Sequence, residues 1–277
     1  MSTSKEPKVN ELLAKLKEGV QGVYTSDAWK AVLHVQSRFH NYSFGNSLLI
    51  YMQCPTATRV AGYDTWKKLG RQVVKGAKGI RIMAPHTYKV KNEQGEDVTK
   101  TGFHQTSVFD ISQTTGEAIP TLCEELREDT QSLRDFYEVI KAASPVPVRE
   151  EAITDGSKGY YCRATDDIAI KKGMAAKQKV KTAIHEIAHA ILHRKDEARR
   201  AELTRNDLEI EAEGTAFVVC SHFGIDTSQY SFPYVASWSA GQSIDVILKT
   251  GEAIQKAANT IIQAIQAEVS VRGEEAA

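Results

Sequence analysis

The stretch TAIHEIAHAILH, running from Thr182 to His193, constrains this chain more than any other. Val180, Ala183, Ile184, Ile187, Ala188, Ile191 and Leu192 recur at helical spacing, so residues 176–194 read as a helix buried along one side. Residues four apart on a helix share a face, and His185 and His189 therefore aim two imidazoles at one point. Glu186 follows the first histidine directly. Satisfied histidines on an amphipathic core helix would give the same pattern. A metal site requires further ligands.

His-Glu-x-x-His is the zinc-peptidase pattern, with the glutamate beside the metal as general base. A catalytic zinc takes three protein ligands and keeps one position open. A metzincin would place glycine at 192 and histidine at 195; Leu192 and Lys195 stand there, which excludes that class. The remaining source is a following helix, and NDLEIEAEGTAFVVC supplies Glu209, Glu211 and Glu213. Glu209 and Glu213 lie four apart on one face, while Glu211 points elsewhere. Glu209 is assigned as third ligand. Glu213 is assigned as the acceptor that orients a ligand histidine, or as the alternative ligand. A solvated acidic face is the competing reading of both. His193 reads as a polar residue one turn beyond the site. With zinc as cofactor, Glu186 would take the proton of an activated water and pass it to the leaving amine. Tyr234, in YSFPYVASWS, is the candidate oxyanion donor, against a plain packing role for that motif.

The charge is as informative as the helix. The net charge is zero, yet residues 1–100 hold 16 Lys+Arg and 8 Asp+Glu, and the rest of the chain is correspondingly acidic. A basic half joined to an acidic half points to two domains with different partners. Between Arg59 and Lys91 lie nine basic residues and a single acid, Asp64. Arg59, Lys67, Lys68, Arg71, Lys75, Lys78 and Arg81 interleave with Tyr63 and Trp66, and Tyr88 follows. Cations tracking phosphates, with aromatics as stacking platforms, are what single-strand binding requires. A solvated hairpin with Trp66 in the core fits these residues equally well.

Apolar spacing predicts helices over 10–19 and 27–40, another ending at Pro55, and a short one ending at Gly70. RQVVK, GIRIMAPHTYKV and TGFHQTSVFDISQT read as strands, the last two forming a hairpin around the polar tip KNEQGED. Residues 114–130 are the linker candidate. Then come a helix (SLRDFYEVIKAAS), extended chain (PVPVREE), a strand–turn–strand (GYYCRATDDIAIKK), the histidine helix, a helix starting near Asp207, and a helical tail over 241–270 that frays at RGEEAA. The four cysteines are scattered and form no framework. With no apolar run long enough to span a bilayer and no leader-like N-terminus, a cytoplasmic protein without membrane partners is expected.

AIHEIAHAILH followed by EIEAEGTAF resembles the ImmA/IrrE-type metallopeptidases, with Glu209 and Glu213 in the positions that complete the site there. The following run VVCSHFGID departs from that family's usual pattern and, with YSFPYVASWS, is closer to ArdC/LtrC-like proteins of plasmids and mobile elements. FHNYSFGNSLLIYMQCPTATRVAGYDTWKKLGRQVVKGAKGIRI resembles the N-terminal ArdC domain, which implies single-stranded DNA binding. The expectation is an α+β protein of two domains. Residues 1–120 would hold helices and a β-hairpin sheet that binds single-stranded DNA. Residues 121–277 would form a mainly helical, zincin-like zinc metallopeptidase with a small sheet, acting on an unidentified protein substrate. The function implied is antirestriction or DNA protection. Two alternatives stand beside it: a non-proteolytic DNA-binding protein with a structural or vestigial metal site, and a repressor-cleaving peptidase.

Overall fold

A computed structural model describes residues 6–21, 25–92, 94, 96–119, 130–194, 201–227 and 242–275. In chain order its elements are α1 (Glu6–Gln21), α2 (Ser26–Arg38), α3 (Phe44–Gln53), β1 (Val60–Ala61), α4 (Tyr63–Lys68), β2 (Arg71–Val73), β3 (Ile80–Lys91) and β4 (Asp97–Asp110). A 3-10 turn (Ile111–Gln113) leads to β5 (Thr114–Gly116), α5 (Thr130–Ala143), β6 (Val148–Glu151), β7 (Gly159–Cys162) and β8 (Asp167–Lys171). The chain closes with α6 (Ala176–Leu192), α7 (Arg205–His222) and α8 (Ile244–Glu275). The fold is mixed helix and sheet, and it divides into two compact units. One comprises Met1–Val23 and Gly45–Pro120, the other Tyr24–Phe44 and Thr121–Ala277. The segment carrying α2 belongs to the second unit although it lies within the expected first domain, 1–120. The physical reason is the apolar face of α2: Trp29, Val32 and Leu33 are fully buried, and α2 packs on α7.

In the first unit β4 is the central strand of the order β1-β4-β3. β3 and β4 pair antiparallel from Ile80↔Val108 to Lys91↔Asp97. Ile80, Ile82 and Val108 are buried at the base, whereas Pro85 to Lys89 are exposed, so the distal hairpin is an arm standing clear of the core. The other edge of β3 would leave backbone groups open, and α3 covers it with two side-chain amides. Asn46 Nδ2 donates to Met83 O (2.8 Å) and its Oδ1 accepts from Met83 N (3.0 Å). Gln53, two turns later, repeats the pattern on Arg81 at 2.8 and 3.0 Å. Asn46 thus acts on the sheet edge. The expected linker begins too early: Thr114–Gly116 is β5, paired with β2, and the chain is turned into it by the capping box of Asp110 and Gln113. A three-residue run is too short to show the alternation that marks a strand. Residues 120–129, including Cys123, lie outside the described residues.

In the second unit β6 and β8 are parallel, and β7 runs antiparallel to β8 at the sheet's other edge. Ile168, Ala169 and Ile170 of β8 are fully buried, and α6 packs on both β7 and β8. Helices α5 and α7 flank α6, and α7 lies against α8. Gly214 sets that approach: a Cβ there would stand 2.6 Å from Ile254 Cδ1. α8 continues to Glu275, past the frayed end expected at 272, with Arg272 Nε donating to Glu268 at 2.8 Å. Among the described residues no helix is long and apolar enough to cross a membrane.

Candidate metal centre and candidate nucleic-acid face

α6 buries Val180, Ala183, Ile184, Ile187 and Ala188 and turns His185 and His189 to the other side. α7 starts at a capping box in which Thr204 and Asp207 bond each other's backbone amides, which fixes where its first turns point. Glu209 and Glu213 then face the two histidines. His185 Nε2 lies 3.1 Å from His189 Nε2 and 3.6 Å from Glu209 Oε2, and His189 Nε2 lies 3.9 Å from Glu209 Oε1. Among the described residues, these three side chains are the group of donors close enough to share one cation, all within 4.8 Å of each other. Tetrahedral ligands of one small cation stand about 3.3–3.6 Å apart, so the donor set and its spacing fit a divalent metal. Glu213 Oε2 sits 3.2 Å from His185 Nδ1, on the ring edge away from the cluster.

The charges at this centre are set by burial and by the carboxylates. Burial alone would depress His185, but hydrogen bonds to Glu209 and Glu213 and the nearby Glu186 charge outweigh it and push its pKa up to about 10. His189 goes the other way, down to about 3, because it is buried and stands beside the His185 charge. Glu186 is only 8% exposed, and desolvation raises its carboxyl above the usual range. The backbone N–H of Tyr161, on edge strand β7, donates to it. The flanking groove is lined by Lys158, Gly159 and Lys181 on one side and by Tyr161, Arg163 and Arg205 on the other. Tyr234 lies outside the described residues.

The basic face of the first unit is less uniform than its sequence. Lys67, Lys68, Lys75, Lys78 and Arg81 are exposed, and Tyr63 is 51% exposed. Arg59 is half-buried, its backbone N–H donating to Asp110 Oδ1 at 3.0 Å. Two expected contacts are corrected. Trp66 is buried, and its Nε1 donates to Phe109 O at 2.8 Å, so its ring serves the core and offers no stacking face. Arg71 spends its guanidinium on the β2–β5 pair: Nε donates to Thr114 Oγ1 (2.8 Å), Nη2 to Thr114 O (3.1 Å), and Nη1 to the Gly116 and Glu117 carbonyls. On the hairpin arm, His86 stacks on Tyr88 (centroids 5.7 Å) and meets His104 edge-on (5.5 Å). Gly102, opposite His86, leaves the room: a Cβ there would lie 2.9 Å from His86 Cε1.

Residues 5–116 match the family model of the N-terminal domain of anti-restriction factor ArdC, and residues 124–229 match that of the IrrE N-terminal-like domain. The chain thus carries two domains in succession, the first matching the ArdC model and the second the IrrE-like model; they are called the ArdC-type and IrrE-like domains below. An uncharacterized protein of Bacillus anthracis, pXO2-81, is 26% identical over 305 aligned positions, covering 94% of this chain and 51% of that protein. The chain thus spans about half the length of the curated relative it matches. The crystal structure of the antirestriction ArdC protein from the R388 plasmid, metal-free, shares the fold with a TM-score of 0.56 and 22% identity, over 82% of this chain and 86% of that one. Its Mn(II)-bound structure gives 0.51 and 20%, over 81% and 85%.

Sequence reasoning missed two features of these domains. In the IrrE-like domain, His193 is 2% exposed and Glu211 is wholly buried, and the two meet behind His189. The signal was present, since His193 continues the four-residue series of His185 and His189. In the ArdC-type domain, His86 and His104 join Tyr88 on one face of the arm. The strand register brings His104 to that face, opposite Ala84 and next to His86.

Proposed function

We propose that the ArdC-type domain binds single-stranded DNA, that the IrrE-like domain is a zinc-dependent peptidase, and that together they serve in protecting DNA from restriction. The observation that carries the peptidase reading is the convergence of His185, His189 and Glu209 beside a buried Glu186. A structural site has no need of a carboxylate in the position of Glu186. His185, His189 and Glu209 are assigned as metal ligands; two imidazoles and a carboxylate suit zinc, and Mn²⁺ is accepted by similar donors. The cation, when bound, supplies Lewis acidity that polarises a scissile carbonyl and acidifies a water.

The protein's own groups do the rest. Glu213 accepts from His185 Nδ1, which turns Nε2 of that ring toward the cluster. Glu186, made more basic by desolvation, takes the water's proton and delivers it to the leaving amine. The Tyr161 amide holds that carboxylate in place. Tyr234 is assigned as oxyanion donor from its place in YSFPYVASWS. For DNA, exposed Lys67, Lys68, Lys75, Lys78 and Arg81 are assigned to phosphates, and Tyr63 and the Tyr88–His86 stack to bases. The antirestriction reading rests on the name of the R388 protein.

Metal content tests the core of this reading. Elemental analysis of the purified chain should find one zinc per molecule, and none in Glu209→Ala. A chain that stays metal-free after zinc is offered would remove the peptidase from the proposal.

A further inference from the structure

Behind the three donors, α6 and α7 bury a second pair. His193 Nδ1 lies 2.9 Å from His189 Nδ1, and His193 Nε2 lies 3.1 Å from Glu211 Oε2. His193 is 2% exposed and Glu211 is 0% exposed, so both contacts are sealed from water. With both rings neutral and Glu211 ionised, these contacts admit one arrangement of protons. A carboxylate only accepts, so His193 must carry its proton on Nε2 and donate it to Glu211. Its Nδ1 is then a lone pair, and the proton between the two rings belongs to His189 Nδ1. The other nitrogen of His189, Nε2, is left as a lone pair. That atom faces His185 Nε2 at 3.1 Å and Glu209 Oε1 at 3.9 Å. Imidazole that binds a metal through one nitrogen needs this tautomer, and its orientation is set by the acceptor on the other nitrogen.

We propose that Glu211 and His193 form a buried positioning relay that fixes the tautomer and direction of His189 as a metal ligand. The proposal rests on the reading of His185, His189 and Glu209 as the metal-binding group. The two ligand histidines are then held by different devices. His185 is oriented by the half-exposed carboxylate of Glu213. His189 is oriented by a carboxylate acting through a second imidazole, out of reach of solvent. Glu211 lines neither side of the groove, and His193 lines it only on the Arg163–Arg205 side, next to His189. The backbone supports the same geometry: Thr215 Oγ1 donates to Glu211 O at 2.7 Å, and the last turn of α6 closes with His193 N donating to His189 O at 2.9 Å.

The test is a cobalt(II) titration of the full, metal-free chain, followed by the visible absorption of the bound ion, beside the melting temperature of each metal-free form. Asparagine at 193 keeps an acceptor near the place of Nδ1; leucine has nearly the same volume and none. His193→Leu should bind cobalt roughly 10- to 100-fold more weakly than wild type, and His193→Asn should recover most of that loss. A pure packing role predicts the reverse order, because leucine suits a buried site better than asparagine. Equal affinities for the two, or tighter binding by His193→Leu, would overturn the relay. Should His193→Leu not fold, Glu211→Gln decides: a weakened, altered cobalt spectrum supports the relay, and a wild-type titration overturns it. A wild-type chain that takes up no cobalt would sink the metal reading itself, and the relay with it.

Discussion

In the IrrE-like domain, a few turns of α6 and α7 crowd His185, His189 and Glu209 onto one point, with Glu213 behind the His185 ring. In the ArdC-type domain the cations stand apart, on α4, on the loop before β3 and along the hairpin. The first arrangement is expensive to hold without a ligand, since it packs like charges and desolvates a carboxylate. The second costs little, because each cation keeps its water. A site that concentrates charge depends on single atoms and fails when one is lost. A face that spreads charge loses function by degrees. Each change below is a way to break that contrast or to sharpen it.

The sharpest effect belongs to Glu186→Gln. The amide keeps the shape and the Tyr161 contact region but takes no proton. Cleavage of any peptide substrate should fall by roughly 10²–10⁴-fold. Metal content should stay at the wild-type level, because Glu186 is not among the three clustered donors. A variant that retains cleavage would assign the base elsewhere.

Trp66→Ala against Tyr63→Ala tests the contrast inside the ArdC-type domain, where two aromatics three residues apart do different work. Trp66 fills the core and bonds Phe109 O, so its loss should cost about 3–5 kcal/mol in denaturant unfolding. Tyr63 is exposed, and its loss should move stability by no more than about 0.5 kcal/mol. Its effect should fall on oligonucleotide binding instead, by about 1–3 kcal/mol if it stacks a base. Equal stability losses would mean that the exposed ring is structural too.

These residues also show what a sequence yields and why it stops. α6 was readable because its apolar residues recur at helical spacing on the side it buries, whereas α7 is buried almost all round from Ile210 to Cys220 and was placed by the spacing of its glutamates. His185, Glu186, His189 and Glu209 followed because a helix turns spacing into direction. Arg71 and Trp66 were misjudged because a basic, aromatic stretch says nothing about which side chains are committed to backbone partners. β5 was missed because three residues are too few to show alternation and its partner β2 lies more than forty residues away. Glu211 was set aside because its i+2 offset from Glu209 points it away from that face. The direction was right, but it leads to His193 and not to solvent.

A mid-sized effect is expected at Asp110, the buried carboxylate that anchors the base of the hairpin. It accepts from the Thr58 and Arg59 amides at 2.8 and 3.0 Å and from the Ser112 hydroxyl at 2.6 Å. Burial pushes its pKa up, but these hydrogen bonds outweigh burial and hold it below its ordinary value of 3.8. A carboxyl whose folded pKa is depressed stabilises the fold at pH above its unfolded value. That stability is lost as pH falls through the folded value. Asp110→Asn should therefore cost on the order of 2 kcal/mol near neutral pH. The gap to wild type should close as the pH drops below 3.8. A gap that stays constant down to acid would mean that shape and not charge is what Asp110 contributes.

The smallest effect per residue is expected on the dispersed face. Lys75, Lys78 and Arg81 are exposed and belong to the stretch assigned to phosphates. Replacing all three with glutamine should leave zinc content and melting temperature unchanged, because none of them fills the core. Binding to a single-stranded oligonucleotide should weaken. The slope of log affinity against log salt should become shallower by about 2, since each lost phosphate contact removes about 0.7 of slope. Arg71→Gln is the counterpart. Its guanidinium already holds β2 to β5, so it should lower stability and leave the salt slope as it was. A triple variant with the wild-type slope would move the DNA interface off this loop and strand, and the hairpin arm with its Tyr88–His86 stack would be the next surface to alter.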